Sequence, residues 1–299
     1  MKPGIEDKIR KGLAVTRLFQ TIVPPSLSNS LLKVAMKRFH FAEGTSRESI
    51  LANGIPCEWI KPQEISLKGV MIYIHGGGFV VGLTPNHFQM VANLAGKMGI
   101  RTLMIDYRLA PKYPFPAALE DCVSVYKWVL AQGVLAKNII IAGDSAGGNL
   151  TITSLMKIRE LNIPLPVAAV CLSPVVDLNP NANHKEGYRD PLLPPKAMQF
   201  YTASYVGNND TKNPLISPLY GDFAGLPPML IHIGEDEVLR DNAEKLSLLA
   251  KEAGANVTYK IYPKMWHVWQ LYSKLPQASQ SLDEIVDFFV SHLLQKGND

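Results

Sequence analysis

Short apolar runs recur along this chain, each bounded by Gly, Pro or polar residues: 70–75, 100–106, 138–143, 167–173, 228–234 and 256–263. They are rich in Ile and Val. Runs this short and nearly continuous fit strands covered on both faces. Between them lie helical patterns at 86–98, 117–132, 146–161 and 240–254, with a last one at 278–295. Strand alternating with helix predicts an α/β fold, a parallel sheet with helices on both sides. The stretch 47–61, which contains Asn53-Gly54, reads as an antiparallel hairpin at the sheet edge.

Two segments break the alternation. In residues 1–45, Ile5, Ile9 and Leu13, and then Leu18, Phe19 and Ile22, recur at helical spacing. A helix packed on the body is expected. A membrane-surface helix fits less well, because the polar face carries both signs of charge. Residues 178–220 are dense in Pro, Asn and Tyr, with a helical patch near 195–206. An insertion of this size after a strand is expected to lie over a site.

Composition works mainly by exclusion. The chain has 299 residues, 47% hydrophobic and 19% charged, which is ample for a large core. Net charge is +4, with Lys and Arg spread along the chain, so no nucleic-acid partner is expected. Cys57, Cys122 and Cys171 are far apart in apolar settings, and no pair has metal-ligand spacing. Buried free thiols in a reducing cytoplasm are the expectation. No window reaches the ~18 apolar residues of a membrane span, and the N-terminus is charged where a signal peptide needs an apolar core. A homodimer is left open.

The strongest chemical signal is Gly143-Asp144-Ser145-Ala146-Gly147, a G-x-S-x-G between a predicted strand and a predicted helix. A turn that sharp holds Ser145 in a strained conformation and projects its hydroxyl toward the positive end of the helix dipole. A serine nucleophile needs a base, and in this arrangement the partners follow in the order Ser, acid, His. His40, His75 and His87 come too early. His184 and His232 precede the best acid cluster, and His292 falls on the last amphipathic pattern, where it is expected to be exposed. His267 remains, in a loop after the last predicted strand. The orienting acid is to be sought among Glu235, Asp236, Glu237 and Asp241.

The apolar run at 70–75 ends in His75-Gly76-Gly77-Gly78. A dinucleotide fingerprint would need glycine where Val81 stands, and no phosphate-loop pattern occurs. Glycines here let the backbone approach a developing oxyanion. Gly77 and Gly78 can supply two N–H donors and Ala146 a third. His75 and Asp144 are expected to support the site without touching substrate.

His75–Gly78, the stretch DYRLAPKYPFPAALED at 106–121, GDSAG at 143–147 and the late histidine together resemble the hormone-sensitive-lipase family of α/β-hydrolases, the bacterial family IV esterases. The resemblance covers about residues 60–295. It implies a mostly parallel eight-stranded sheet in residues 46–299. It also implies a helical cap made from residues 1–45 and an insertion around 178–205, hydrolysis of short- to medium-chain carboxylic esters, a small-molecule ester as partner, and no cofactor or metal. Where many members read Asp-Pro-Leu-x-Asp at the acid, this chain has Glu237-Val238-Leu239-Arg240-Asp241. The frame assigns the acid to Glu237, with Asp236 as the alternative. Asp106, Tyr107 and Arg108 are expected to support the glycine loop. An activity limb near the ~6.5 of free histidine follows from a neutral His267 as base. Two other readings use the same scaffold: a ligand-binding receptor, in which the histidine is lost, and an amide hydrolase or acyltransferase.

Overall fold

In the computed structural model, which describes residues 4–37, 44–179 and 190–295, the apolar runs pair into one eight-stranded sheet. Its strands are β1 (Thr45–Ala52), β2 (Ile55–Pro62), β3 (Val70–Ile74), β4 (Arg101–Ile105), β5 (Ile139–Asp144), β6 (Ala168–Leu172), β7 (Met229–Gly234) and β8 (Val257–Tyr262). Their spatial order is β1-β2-β4-β3-β5-β6-β7-β8. The β1–β2 and β2–β4 pairs are antiparallel and every other pair is parallel. The Asn53-Gly54 hairpin is the edge, where Arg47 bonds Glu58 and Lys61 pairs with Glu48.

The reason the central runs are continuously apolar is visible residue by residue. Successive side chains of a strand point to opposite faces. Val70, Ile72 and Ile74 enter one core with Ile139, Ile141, Ala169 and Cys171. Their neighbours Met71 and Tyr73 enter a second core with Ile140, Ala142, Ala168 and Val170. The first core is covered by α4 (Ala117–Ala131), α5 (Ala146–Glu160) and α7 (Arg240–Glu252). The second is covered by α3 (Pro85–Met98) and α8 (Pro276–Gln295).

The remaining helices are α1 (Ile5–Ile22), α2 (Pro25–Lys37) and α6 (Pro195–Val206). The N-terminal pattern is two helices rather than one, broken at Pro24-Pro25. Its apolar residues also do not all face inward. Leu13 is buried among Trp266, Trp269 and Leu192, with Ile9 beside it. Ile5, Leu18 and Ile22 stay 44%, 59% and 67% exposed. The spacing specified a helix correctly, and the turn that carries Ile9 and Leu13 packs on apolar neighbours. Side-chain hydrogen bonds hold these helices down. Arg10 of α1 bonds Asp236, and Asn29 of α2 donates to the Val80 carbonyl and accepts from Gly82 N–H. Among the described residues no helix is long and apolar enough to cross a membrane. His40 and His184 lie outside the described residues. So do parts of the two expected cap segments.

Candidate active site

Four loops converge at the carboxyl ends of parallel strands, where open α/β sheets place their functional residues. The glycine loop follows β3, Ser145 follows β5, Glu237 follows β7 and His267 follows β8.

Ser145 stands at φ 53°, ψ −115°, between the end of β5 and the start of α5. This is a conformation costing on the order of 1–3 kcal/mol. It is over-determined by its surroundings: Ser145 N–H donates to Leu172 O, and Ser145 O accepts from Asn149 N–H and Val175 N–H. The turn also needs Gly147, because a Cβ there would stand 1.9 Å from the Ile74 carbonyl oxygen. Ala146 is the first residue of α5, so its N–H has no partner within the helix.

His267 Nδ1 lies 2.9 Å from Glu237 Oε2, and Nε2 lies 2.8 Å from Ser145 Oγ. A carboxylate only accepts, so Nδ1 carries the proton and Nε2 is left to accept the serine's. Glu237 is fully buried. Its other oxygen accepts from Ser173 Oγ and from Gly234 N–H, both at 2.6 Å. Ser173 Oγ in turn accepts from Val268 N–H at 3.2 Å, so one hydroxyl ties the acid to the histidine loop. Asp236 points the other way, onto Arg10 at 2.7 Å. Burial alone would make His267 less basic. The hydrogen bond and charge of Glu237, joined by the charges of Asp190 and Asp144, outweigh it and hold the imidazole above the ordinary 6.5.

Asp144 fastens the glycine loop to the serine turn. Its Oδ1 accepts from Tyr73 OH at 2.6 Å and from Gly76 N–H at 3.0 Å. Its Oδ2 faces His87 Nε2 at 3.3 Å. His87 Nδ1 accepts from Thr84 N–H in the capping box of α3, which leaves the proton on Nε2 to donate to Asp144. Burial pushes the Asp144 carboxyl up, but its interaction with His87 and the bond from the Tyr73 hydroxyl bring it below the usual range. His75 Nδ1 donates to Gly76 O at 2.6 Å, and its ring stacks on Tyr107. Burial, with His87 nearby, lowers His75 to about 3, so it is neutral. Gly77, at φ 113°, could not carry a side chain, since a Cβ would reach 2.2 Å from Val81 O.

Of the DYR residues, Tyr107 does support this loop, donating to His75 O at 2.8 Å. Arg108 does not: its guanidinium grips Asp121 instead, at 2.9 Å. His292 is half-buried, its Nδ1 2.7 Å from Phe288 O, rather than exposed. Sequence reasoning missed Ser173, Tyr73 and Asp190. Ser173 had one signal, its place directly after a strand end. Backbone strain marks the same region, for Phe79, Ser145, Ser173 and Val268 are all non-glycine residues with positive φ.

Ser145, His267, Gly77 and Gly78 open onto a mostly apolar cavity of about 530 Å³. Leu31, Leu32 and Ala35 of α2 and Met198, Tyr201 and Thr202 of α6 line its other side. Among the described residues, Asp190, Glu237 and His267 form the cluster with the spacing of metal ligands, which the sequence did not suggest. Both Glu237 oxygens and both His267 nitrogens already have hydrogen-bond partners, so this donor set does not fit a resident ion. The three cysteines are buried and free.

The strand order and the serine turn after β5 define an α/β-hydrolase. A family model described as alpha/beta hydrolase fold matches residues 71–271. An acetyl-hydrolase of Streptomyces hygroscopicus is 38% identical over 229 residues, 76% of this chain and 76% of that protein. The crystal structure of a hormone-sensitive lipase from a metagenome library superposes with a TM-score of 0.88 at 36% identity, covering 95% of this chain and 98% of the other. An esterase from the bacterial hormone-sensitive lipase family gives 0.87 at 33% identity, covering 98% and 100%. The chain belongs to the hormone-sensitive-lipase family of α/β-hydrolases. The activity class that goes with this membership is carboxylic ester hydrolysis.

Proposed function

We propose that the protein hydrolyses short- to medium-chain carboxylic esters through Ser145, His267 and Glu237. The observation that carries this reading is the unbroken path from Ser145 Oγ through the imidazole to a buried carboxylate, 2.8 and 2.9 Å long in its two links, at the wall of an apolar cavity.

Ser145 Oγ attacks the ester carbonyl carbon while His267 Nε2 takes the hydroxyl proton. Glu237 keeps the proton on Nδ1 and stabilises the imidazolium. The N–H groups of Gly77, Gly78 and Ala146 bind the oxyanion of the tetrahedral intermediate. The intermediate collapses, the ester C–O bond breaks, and the alcohol leaves with the proton from Nε2. Water then attacks the acyl-enzyme, giving its proton to His267. The acid departs and Ser145 recovers its hydrogen. No cofactor enters the scheme. The ligand-binding reading, in which the histidine is lost, is not favoured with His267 in contact with the serine.

Residues 1–45 and 178–205 act in this reading as the cap, with α1, α2 and α6 forming a roof over the cavity. A cavity of about 530 Å³ falls within the ~300–1,000 Å³ of small-molecule pockets. A panel of p-nitrophenyl esters from acetate to palmitate tests the size limit. Turnover is expected to peak between about C2 and C8 and to fall steeply for palmitate. Faster hydrolysis of emulsified long-chain triglyceride than of soluble butyrate would mean that the roof does not bound the pocket.

The pH dependence follows from the electrostatics. Only neutral His267 can accept the serine proton. Its pKa is raised above 6.5, so the protonated, inactive form persists to higher pH than for a free histidine. The acid limb of kcat/KM is therefore expected above 6.5, not at the free-histidine value. A limb at or below 6.5 contradicts the charge arrangement around the imidazole.

A further inference from the structure

Glu237 is not the only carboxylate at His267. Asp190 opens the Asp190-Pro191-Leu192-Leu193 stretch that leads into α6 and is only 6% exposed. Side-chain ligand atoms of Asp190, Glu237 and His267 all lie within 4.8 Å of one another. Asp190 Oδ1 accepts from Leu192 N–H at 2.8 Å and from Leu193 N–H at 3.3 Å. Oδ2 is buried and, among the described residues, has no hydrogen-bond partner. Arg17 of α1 donates to the Asp190 backbone oxygen at 3.0 Å and fixes the loop.

A turn cap explains Oδ1 but not Oδ2. An asparagine would accept the same two backbone N–H groups without burying a charge. What a carboxylate adds at this position is a negative charge within 4.8 Å of the imidazole.

We propose that Asp190 is a positioning residue for the reaction: its buried carboxylate acts with Glu237 to stabilise the His267 imidazolium and so strengthens the base that deprotonates Ser145. This rests on the catalytic reading of Ser145, His267 and Glu237 given above. Among the described residues, the charged groups that act on the imidazole are Glu237 from the loop after β7, Asp190, and Asp144 from the end of β5. The groups facing Asp190, again among the described residues, are His267, Glu237 and Tyr272, with Arg17 at its backbone. Burial pushes Asp190 up to about 6, with the charge of Glu237 adding to the rise and His267 opposing it. It is therefore ionised where the enzyme must work, and its proton and that of His267 come off as a coupled pair.

The test compares kcat/KM against pH, with p-nitrophenyl butyrate, for the wild type, Asp190→Asn, Asp190→Ser and Asp190→Glu. Asn and Ser both retain an acceptor for the Leu192 N–H and remove the charge. An opposite charge within ~4–6 Å shifts a pKa by about 1–3 units. The acid limb of both neutral variants is expected to move down by about one unit or more, with kcat on the plateau falling roughly tenfold. At acid pH these variants would keep a larger share of their own plateau activity than the wild type keeps, which structural damage does not produce. Asp190→Glu is expected to hold the limb near the wild-type position. A neutral variant with an unmoved limb overturns the proposal, whatever its kcat. So does failure of both neutral variants to fold by thermal unfolding, since the carboxylate would then be a structural cap. Organophosphate labelling separates this from the underlying reading. If Ser145 in the wild type takes no label, it is the catalytic assignment that fails.

Discussion

Ser145→Ala is expected to lower ester turnover by ~10⁴-fold or more and to leave the fold intact. The loss follows from the removal of Oγ, the atom 2.8 Å from His267 Nε2. The preserved fold follows from what stays behind. The bonds that hold the turn are all backbone: Ser145 N–H to Leu172 O, and Asn149 and Val175 N–H to Ser145 O. Alanine meets the same strain at φ 53° as serine does, so the thermal midpoint should shift little. An organophosphate should label the wild type once per chain, at Ser145, and the variant not at all. Labelling elsewhere, or a variant with near-normal turnover, would sink the assignment.

Glu237→Gln is expected to cost nearly as much, approaching the ~10⁴-fold known when a triad carboxylate becomes an amide. The direction of the amide is dictated by its neighbours. Glu237 Oε1 accepts from Ser173 Oγ and Gly234 N–H, and these donors claim the amide oxygen. The NH₂ then faces His267 Nδ1. Two donors cannot meet, so the imidazole is driven to the tautomer with its proton on Nε2, where it can no longer accept from Ser145. Asp236→Asn should change kcat little. It removes a partly exposed ion pair with Arg10, and such pairs are worth about 0–1 kcal/mol. Measuring kcat for both variants decides between the two carboxylates. A crippled Asp236→Asn beside a near-normal Glu237→Gln would reverse the roles.

Much of the sheet could be read from the chain because a strand buried on both faces needs apolar residues at every position. Thus 138–143 became β5 and 228–234 became β7 with ends displaced by at most a residue. The edge hairpin was legible from Asn53-Gly54, which needs positive φ at both residues and has it, at 51° and 81°. Residues 1–45 mark the limit of such patterns. Ile5, Leu18 and Ile22 follow helical spacing, yet they stay 44%, 59% and 67% exposed, and periodicity says nothing about what lies opposite a face.

By itself the sequence determined the alternation of strands and helices, the sharp turn at Ser145, the glycines after β3 and the order of serine, acids and late histidine. These are local matters, set by backbone sterics and by the periods of side-chain direction over a few residues. Only the tertiary structure decided which carboxylate meets the imidazole. Asp236 and Glu237 are adjacent in the chain, but the turn after β7 sends one to Arg10 and the other to His267. It alone brought Ser145 to a histidine 122 residues away, and it alone set Ser173 and Asp190 against the acid–histidine pair. Contacts of that kind depend on the register of neighbouring strands and the paths of the loops that leave them. Those are settled when the two cores close on the sheet, and no short stretch of the chain carries them.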